Sequence, residues 1–408
     1  MVPKGWSSWI LSDICRKQIS YGIVQTGDNL PNGIPCLRVV DLTRDVMRLE
    51  DMIKTSEETN KAYRKTILEK DEIVMALRGE IGLARLIDDN LVGANITRGL
   101  ARISPETKVV LPEFLLWELR SPQFRADLIR RVGGSALQEI SLTELRKVRT
   151  LLPPLLEQKK IAQILSTWDK AISVTEKLLV NSQRQKKALM QQLLTGNKRL
   201  LDENGVRFSG EWQSLQISDI GTVVTGSTPP KNDSDNYGGD ISWATAEDFV
   251  GKYVSNTKIK LSEQGAKKAR IVPKGSILVT CIASIGKNAI ADENMGTNQQ
   301  INSVIVRGSN SNEFFYYQIE FNVKNLLTLA GTTAVPIINK SSFEKVSLKF
   351  PHFEEQQKIA DVLSAADAEI TTLQKKLACL KEEKKALMQQ LLTGKRRVKV
   401  EAEEAVSA

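Results

Sequence analysis

The sequence predicts an α+β protein. It has two mixed α/β domains separated by two long helices that form an antiparallel intramolecular coiled coil, in a pseudo-twofold internal repeat. Three observations carry this. The eleven residues KKALMQQLLTG occur twice, at Lys186–Gly196 and at Lys384–Gly394. Each copy closes a long stretch free of proline and glycine, patterned for a helix. The remaining sequence alternates branched-residue runs with turn residues, as strands and loops do. Self-similarity at a fixed offset, here 198 positions (Lys186 to Lys384), marks duplicated units.

The first domain is expected over residues 1–152. Short strands are predicted at Cys36–Val40, Ile73–Leu77 and Leu100–Ile103. Helices are predicted at Pro112–Arg120, which opens on proline, and at Gln123–Arg131. Gly133-Gly134-Ser135 then reads as a hinge or loop. The first spacer helix is placed within residues 153–200, beginning after Pro153-Pro154, whose rings end the extended stretch. Its apolar seam runs Ile161, Leu165, Trp168, Ile172, Leu179, Leu189, Leu193, in steps of three and four. Gly196 ends it, with Lys198 and Arg199 beside the negative helix end.

The second domain is expected over 201–350, with strands at Ile277–Ile282 and Ile301–Val306 and a polar loop at Gly226–Asp240. The second spacer helix, within 351–396, repeats the seam from Ile359 through Leu391. Residues 397–408 read as a disordered tail. The repeat extends past the helices: Gly133–Pro154 aligns with Gly331–His352, and Trp6 with Trp212. A lone amphipathic helix needs a partner, and the second copy supplies one within the chain. With a globular domain between them, the simplest pairing is antiparallel. Leu189 and Leu387 are expected at the buried seam, whereas Lys186, Lys187, Gln191, Gln192 and their copies Lys384, Lys385, Gln389, Gln390 lie off it. Their identity fits a partner protein that docks once on each half, with recent duplication as the competing explanation.

Composition narrows the function classes. The net charge is +9, which favours a polyanionic partner. The four cysteines are scattered, without a CxxC pair, which fits a reducing cytoplasm and neither a disulfide framework nor a zinc site. No apolar run is long enough for a membrane span. One histidine, His352, rules out His-based metal sites and most catalytic triads. No Walker A or GxGxxG motif occurs, nor an amine-methyltransferase motif or a nuclease carboxylate set. No catalytic residue, metal or cofactor is therefore expected in this chain.

A doubled protein with two diverged domains suits duplex DNA, whose backbone has local twofold symmetry. Candidate DNA contacts are side chains that reach phosphates or base edges from turns. In the first domain they are Gln25, Thr26, Arg38, Arg78, Asn95, Arg98 and Ser135. In the second they are Thr228, Lys231, Asn232, Ser284, Lys287, Asn298, Gln299, Thr332 and Thr333. Trp243 reads equally as core or as a stacking platform. Two other functions stay open on residue grounds: a stand-alone DNA modification enzyme and a structural coiled-coil adaptor.

EQKKIAQIL at Glu157–Leu165, EQQKIADVL at Glu355–Leu363, the helices running on to LLTG, and the loop GSTPPK at Gly226–Lys231 together resemble one family. The chain is similar, over nearly its whole length, to the specificity (S) subunit of type I restriction-modification enzymes. The resemblance implies two target-recognition domains, each reading half of a bipartite double-stranded DNA site. It also implies helices that set the gap. Two methyltransferase (M) subunits would dock on the chain, with restriction (R) subunits held through them. Adenine methylation and ATP-dependent restriction, with S-adenosylmethionine, ATP and magnesium, would belong to those partners.

Overall fold

The computed structural model describes residues 2–133, 138–330 and 335–400. The chain divides into two compact units. The first comprises residues 1–176 and 376–408, the second residues 177–375. Both boundaries fall inside the long helices, α1 (Leu155–Leu193) and α2 (Phe353–Leu391). Each unit is therefore a globular part plus one half of each helix.

In the first unit a four-stranded sheet runs in the order Cys15–Tyr21, Leu100–Pro105, Ile73–Ala76, Ala84–Leu86, all antiparallel. A three-stranded sheet places Ile34–Leu37 between Ile53–Thr55 and Asn95–Ile96. Ser7–Ile10 pairs with Arg149–Leu152, the strand that leads into α1. The predicted helices form at Pro112–Leu119 and Pro122–Arg130, each with proline in its first turn, where no donor is lost. Their buried Phe114, Leu115 and Phe124 share a core with Ile161 and Leu165 of α1 and Leu391 of α2.

The strand expected at Cys36–Val40 ends at Leu37, and Val39–Leu42 form a helical turn instead. The buried Asp41 carboxylate caps that turn by accepting from the Arg38 backbone N–H at 2.9 Å. Local capping here overrides the β-propensity of two valines.

The second unit repeats the design. Its five-stranded sheet runs Gly221–Thr225, Ile301–Val306, Ile277–Thr280, Asn288–Ala291, Tyr253–Val254. Its four-stranded sheet runs Ile259–Leu261, Tyr237–Ala244, Met295–Thr297, Ile271–Val272. Gln213–Gln216 pairs with Ser347–Phe350 ahead of α2. Its core joins Phe314, Phe343 and Phe350 to Leu193 of α1 and Leu363 of α2.

Within each unit the half-helices run antiparallel. In the first, Asp169 is ion-paired with Lys384, and Glu176 with Lys381 at 2.8 Å. In the second, Ser182 donates to Glu369 at 2.9 Å, and Lys186 meets Asp367 at 2.8 Å. Leu193 and Leu391 are fully covered, but Leu189 and Leu387 are only half-buried, which corrects their assignment to a closed seam. Two helices alone shield one stripe each, so central seam positions such as Ile172 and Leu377 stay half-buried, and Val174 and Leu178 are each 49% exposed.

The residues behind the EQ signatures lock the helices to the globular parts. Glu157 is gripped by Arg397 through two hydrogen bonds of 2.7 Å, and Glu355 by Arg199 through two of 2.6 Å. Arg397, expected in a disordered tail, is thus held by a nearly buried carboxylate. Gln158 accepts from Leu111 N–H and donates to Pro153 C=O; Gln356 does the same with Ser311 and Pro351. These contacts satisfy groups at each helix entrance that the helix itself cannot.

Candidate nucleic-acid interface

The two units share a backbone frame that fixes which positions correspond. Thr97 N–H donates to Leu37 C=O at 3.0 Å, and Asn298 N–H to Ala244 C=O at 3.1 Å. Leu77 N–H reaches Gly99 C=O at 2.8 Å, and Cys281 N–H reaches Gln300 C=O at 2.8 Å. The Asp41 cap on Arg38 recurs as the Asp248 cap on Thr245. Ile140 N–H donates to Leu77 C=O, and Ile338 N–H to Cys281 C=O. Arg38, Arg78, Arg98 and Gly99 therefore stand where Thr245, Ile282, Gln299 and Gln300 stand.

Both frames depend on a close backbone approach. A Cβ at Gly22 would lie 1.8 Å from Ile96 C=O, and one at Gly226 would lie 2.1 Å from Asn298 C=O. Only glycine fits there.

In the first unit, Thr26, Arg38, Arg78 and Arg98 line one concavity of about 550 Å³, together with Val24 and Val40. Gln25 is exposed in the adjoining loop. Arg38 is braced by Asp41, whose carboxylate accepts from its Nε and Nη2, both at 3.1 Å. That hydrogen bonding holds the guanidinium even more firmly protonated. Arg78 and Arg98 make no side-chain hydrogen bond or ion pair among the described residues. Asn95 is not at this surface. It is fully buried and bonded to Thr66, Asn60 and Tyr63, so it braces the loop below. Ser135 lies outside the described residues.

In the second unit, Thr228 donates to Gln299. Asn298 donates to Gln300 Oε1 at 3.3 Å, and Lys287 to Ala246 C=O at 2.6 Å. Ser284, Lys231 and Asn232 are exposed. Thr332 and Thr333 lie outside the described residues. Trp243 is 3% exposed and donates to Ser227 C=O at 3.0 Å, so it is core. The GSTPPK loop is pinned by that bond, by Tyr237 Oη on Pro229 C=O and by Asn236 on Pro230 C=O. The sequence reading missed Val24 and Val40, which are exposed beside the arginines, and missed Thr245 and Ile282. An exposed valine in a sequence looks like any core valine, so no signal pointed to the first two.

The repeated helix ends are only partly a free surface. Lys186 binds Asp367 and Glu320 and sits 5.4 Å from the Tyr317 ring centre. Lys384 binds Asp169 and sits 4.7 Å from the Trp117 ring centre. Both side chains are mostly covered, which corrects their assignment to a partner-facing surface. The identity of these two lysines reflects the same internal ion pair and cation–π contact made in each unit. Lys187, Gln191, Gln192, Lys385, Gln389 and Gln390 are exposed.

No group of His, Cys, Asp and Glu able to hold a metal occurs among the described residues. Nor is any described helix long and apolar enough to cross a membrane.

Comparison with known proteins agrees with this arrangement. The family model "Type I restriction modification DNA specificity domain" matches twice, at residues 3–181 and 209–382. The chain is 32% identical over 165 residues to the type I restriction enzyme EcoBI specificity subunit of Escherichia coli, a match covering 40% of this chain and 35% of that one. It is 25% identical to the putative type I restriction enzyme MjaX specificity subunit of Methanocaldococcus jannaschii, covering 98% of this chain and 95% of that one. The crystal structure of a type I restriction-modification S subunit from M. genitalium superposes with a TM-score of 0.61 at 14% identity, covering 98% and 97% of the two chains. That likeness is one of fold.

Proposed function

This chain belongs to the type I restriction-modification DNA specificity family, and from that premise we propose that each of its units reads one half of a bipartite DNA site. The observation that carries the reading is the shared frame with exchanged side chains. Matching backbone hydrogen bonds present Arg38, Arg78 and Arg98 in one unit, and Thr245, Ile282 and Gln299 in the other. A shared frame with different side chains at its rim is what two halves of an asymmetric site require.

In this reading the chain contributes recognition and no catalysis. Two methyltransferase subunits dock on it, and restriction subunits join through them. Those partners carry S-adenosylmethionine, ATP and magnesium, and they perform adenine methylation, with the target base flipped out of the stack, and DNA cleavage. The protein works on intracellular DNA in the cytoplasm. Support for a doubled partner comes from Lys187, Gln191 and Gln192 and their identical copies, which are exposed and whose side chains, among the described residues, make no hydrogen bond beyond the surface ion pair of Lys385 with Glu382. Support for helices that set the half-site gap comes from their continuity over 39 residues each.

Co-expression with the cognate methyltransferase subunit tests the reading. Sequencing of methylated sites should return a bipartite motif. Methylation without sequence preference, or methyl transfer by this chain alone, would contradict it.

A further inference from the structure

We propose that Arg78 and Arg98 are specificity-determining residues that read guanine in the half-site of the first unit. This deepens the proposed function and rests on it. Both arginines line the same concavity, and neither side chain is hydrogen-bonded or ion-paired among the described residues. An arginine free of internal partners can present two parallel donors, which match the O6 and N7 acceptors of guanine in the major groove. Beside them, Val24 and Val40 are 45% and 51% exposed, so the same surface offers apolar contacts of the kind that meet a thymine methyl group.

A second observation shows that the position of Arg78 is built. A Cβ at residue 99 would lie 3.1 Å from Arg78 Nε and 3.0 Å from Val39. A side chain at residue 99 would thus press on Arg78 and Val39, each of which would have to give by a few tenths of an ångström. In the second unit the corresponding pair is Ile282 and Gln300, and Gln300 carries a side chain bonded to Asn298. The two positions differ together: arginine with glycine in one unit, isoleucine with glutamine in the other. Arg38 differs in kind from its neighbours. Its Nε and Nη2 are engaged by Asp41, so it forms a fixed charged wall and is not a reader.

The experiment compares methylated sites in hosts carrying the methyltransferase subunit with the wild-type chain or with Arg78→Ala, Arg98→Gln or Gly99→Gln. The expected result is a wild-type motif with guanine in one half. Each variant should relax discrimination at a guanine of that half by roughly tenfold or more, leaving the other half unchanged. Gly99→Gln should relax the same position as Arg78→Ala, because its side chain would press on that arginine. Melting curves matching wild type establish that the variants fold. Arg98→Gln copies the residue found in the second unit and so guards against a collapsed variant. Loss of affinity that is uniform across sequences, with an unchanged motif, would assign the arginines to phosphates and overturn the proposal. A wild-type motif without guanine in either half would overturn it too. A wild-type chain that directs no motif at all would instead overturn the reading of function.

Discussion

Glu118 and Gln318 occupy equivalent places in their two units and meet corresponding strands in opposite hydrogen-bonding senses. Gln318 Nε2 donates to Lys349 C=O at 2.9 Å and to Leu194 C=O at 3.1 Å. Glu118 Oε1 accepts from Leu151 N–H at 3.2 Å, and its Oε2 has no partner among the described residues. Burial pushes the Glu118 carboxyl up to about 8, against the opposing effect of the Leu151 N–H. At neutral pH it is held protonated, a neutral group like the glutamine of the other unit.

The folded first unit binds a proton at Glu118 that the unfolded chain has released above its usual value near 4.5. Stability from this group is full below that value, falls as pH rises and is gone above about 8. The slope is about 1.4 kcal/mol per pH unit at most. Glu118→Gln should flatten the decline in melting temperature between pH 5 and 8, as read by thermal unfolding across that range. An unchanged slope in the variant would show that Glu118 is not the titrating group.

The Arg199–Glu355 pair fixes the tail of α1 to the entrance of α2. Glu355 is nearly buried, so removing its partner strands a charge. Arg199→Met should destabilise the second unit by about 3 kcal/mol, whereas the double change Arg199→Met with Glu355→Gln should recover most of that loss. Differential scanning calorimetry of the three chains distinguishes this from equal losses in single and double variants, which would mean the arginine acts through packing alone.

Seam leucines should separate by burial. Leu193→Ala and Leu391→Ala should cost about 2–5 kcal/mol each, because both side chains are enclosed. Leu189→Ala and Leu387→Ala should cost about half as much, since part of each surface already meets water. Chemical denaturation provides the ranking, and equal costs at all four sites would contradict it.

A matched heptad inserted into α1 and α2 lengthens each by about 10.5 Å, roughly three base pairs of duplex. The gap between half-sites should widen while both half-sites keep their sequence. An unchanged gap in the methylated sites would remove the spacing role of the helices.

Much of this architecture was legible because long helices and exact repeats are strong signals. Both helices, the helix pair after Leu111 and the strands at 73–76, 100–105 and 301–306 match the pattern of branched and apolar residues. What escaped was set by contacts distant in sequence. Lys186 looked off-seam because an apolar pattern does not register an ion pair: its place is decided by Asp367 of the partner helix together with Tyr317 and Glu320 of the globular part. Asn95 carried the residue type of a base reader, yet Thr66 and Asn60 enclose it. The arginines were legible as types. Their convergence was not, because Arg38, Arg78 and Arg98 come from three separate segments of the chain.

In the proposed function each unit reads its own half-site. The most direct measurement is methylated-site sequencing of a chain in which residues 205–350 are replaced by the corresponding segment of a relative with different specificity. One half of the bipartite motif should change to that of the donor while the other half stays as in the parent. A motif unchanged in both halves, or altered in both, would contradict it.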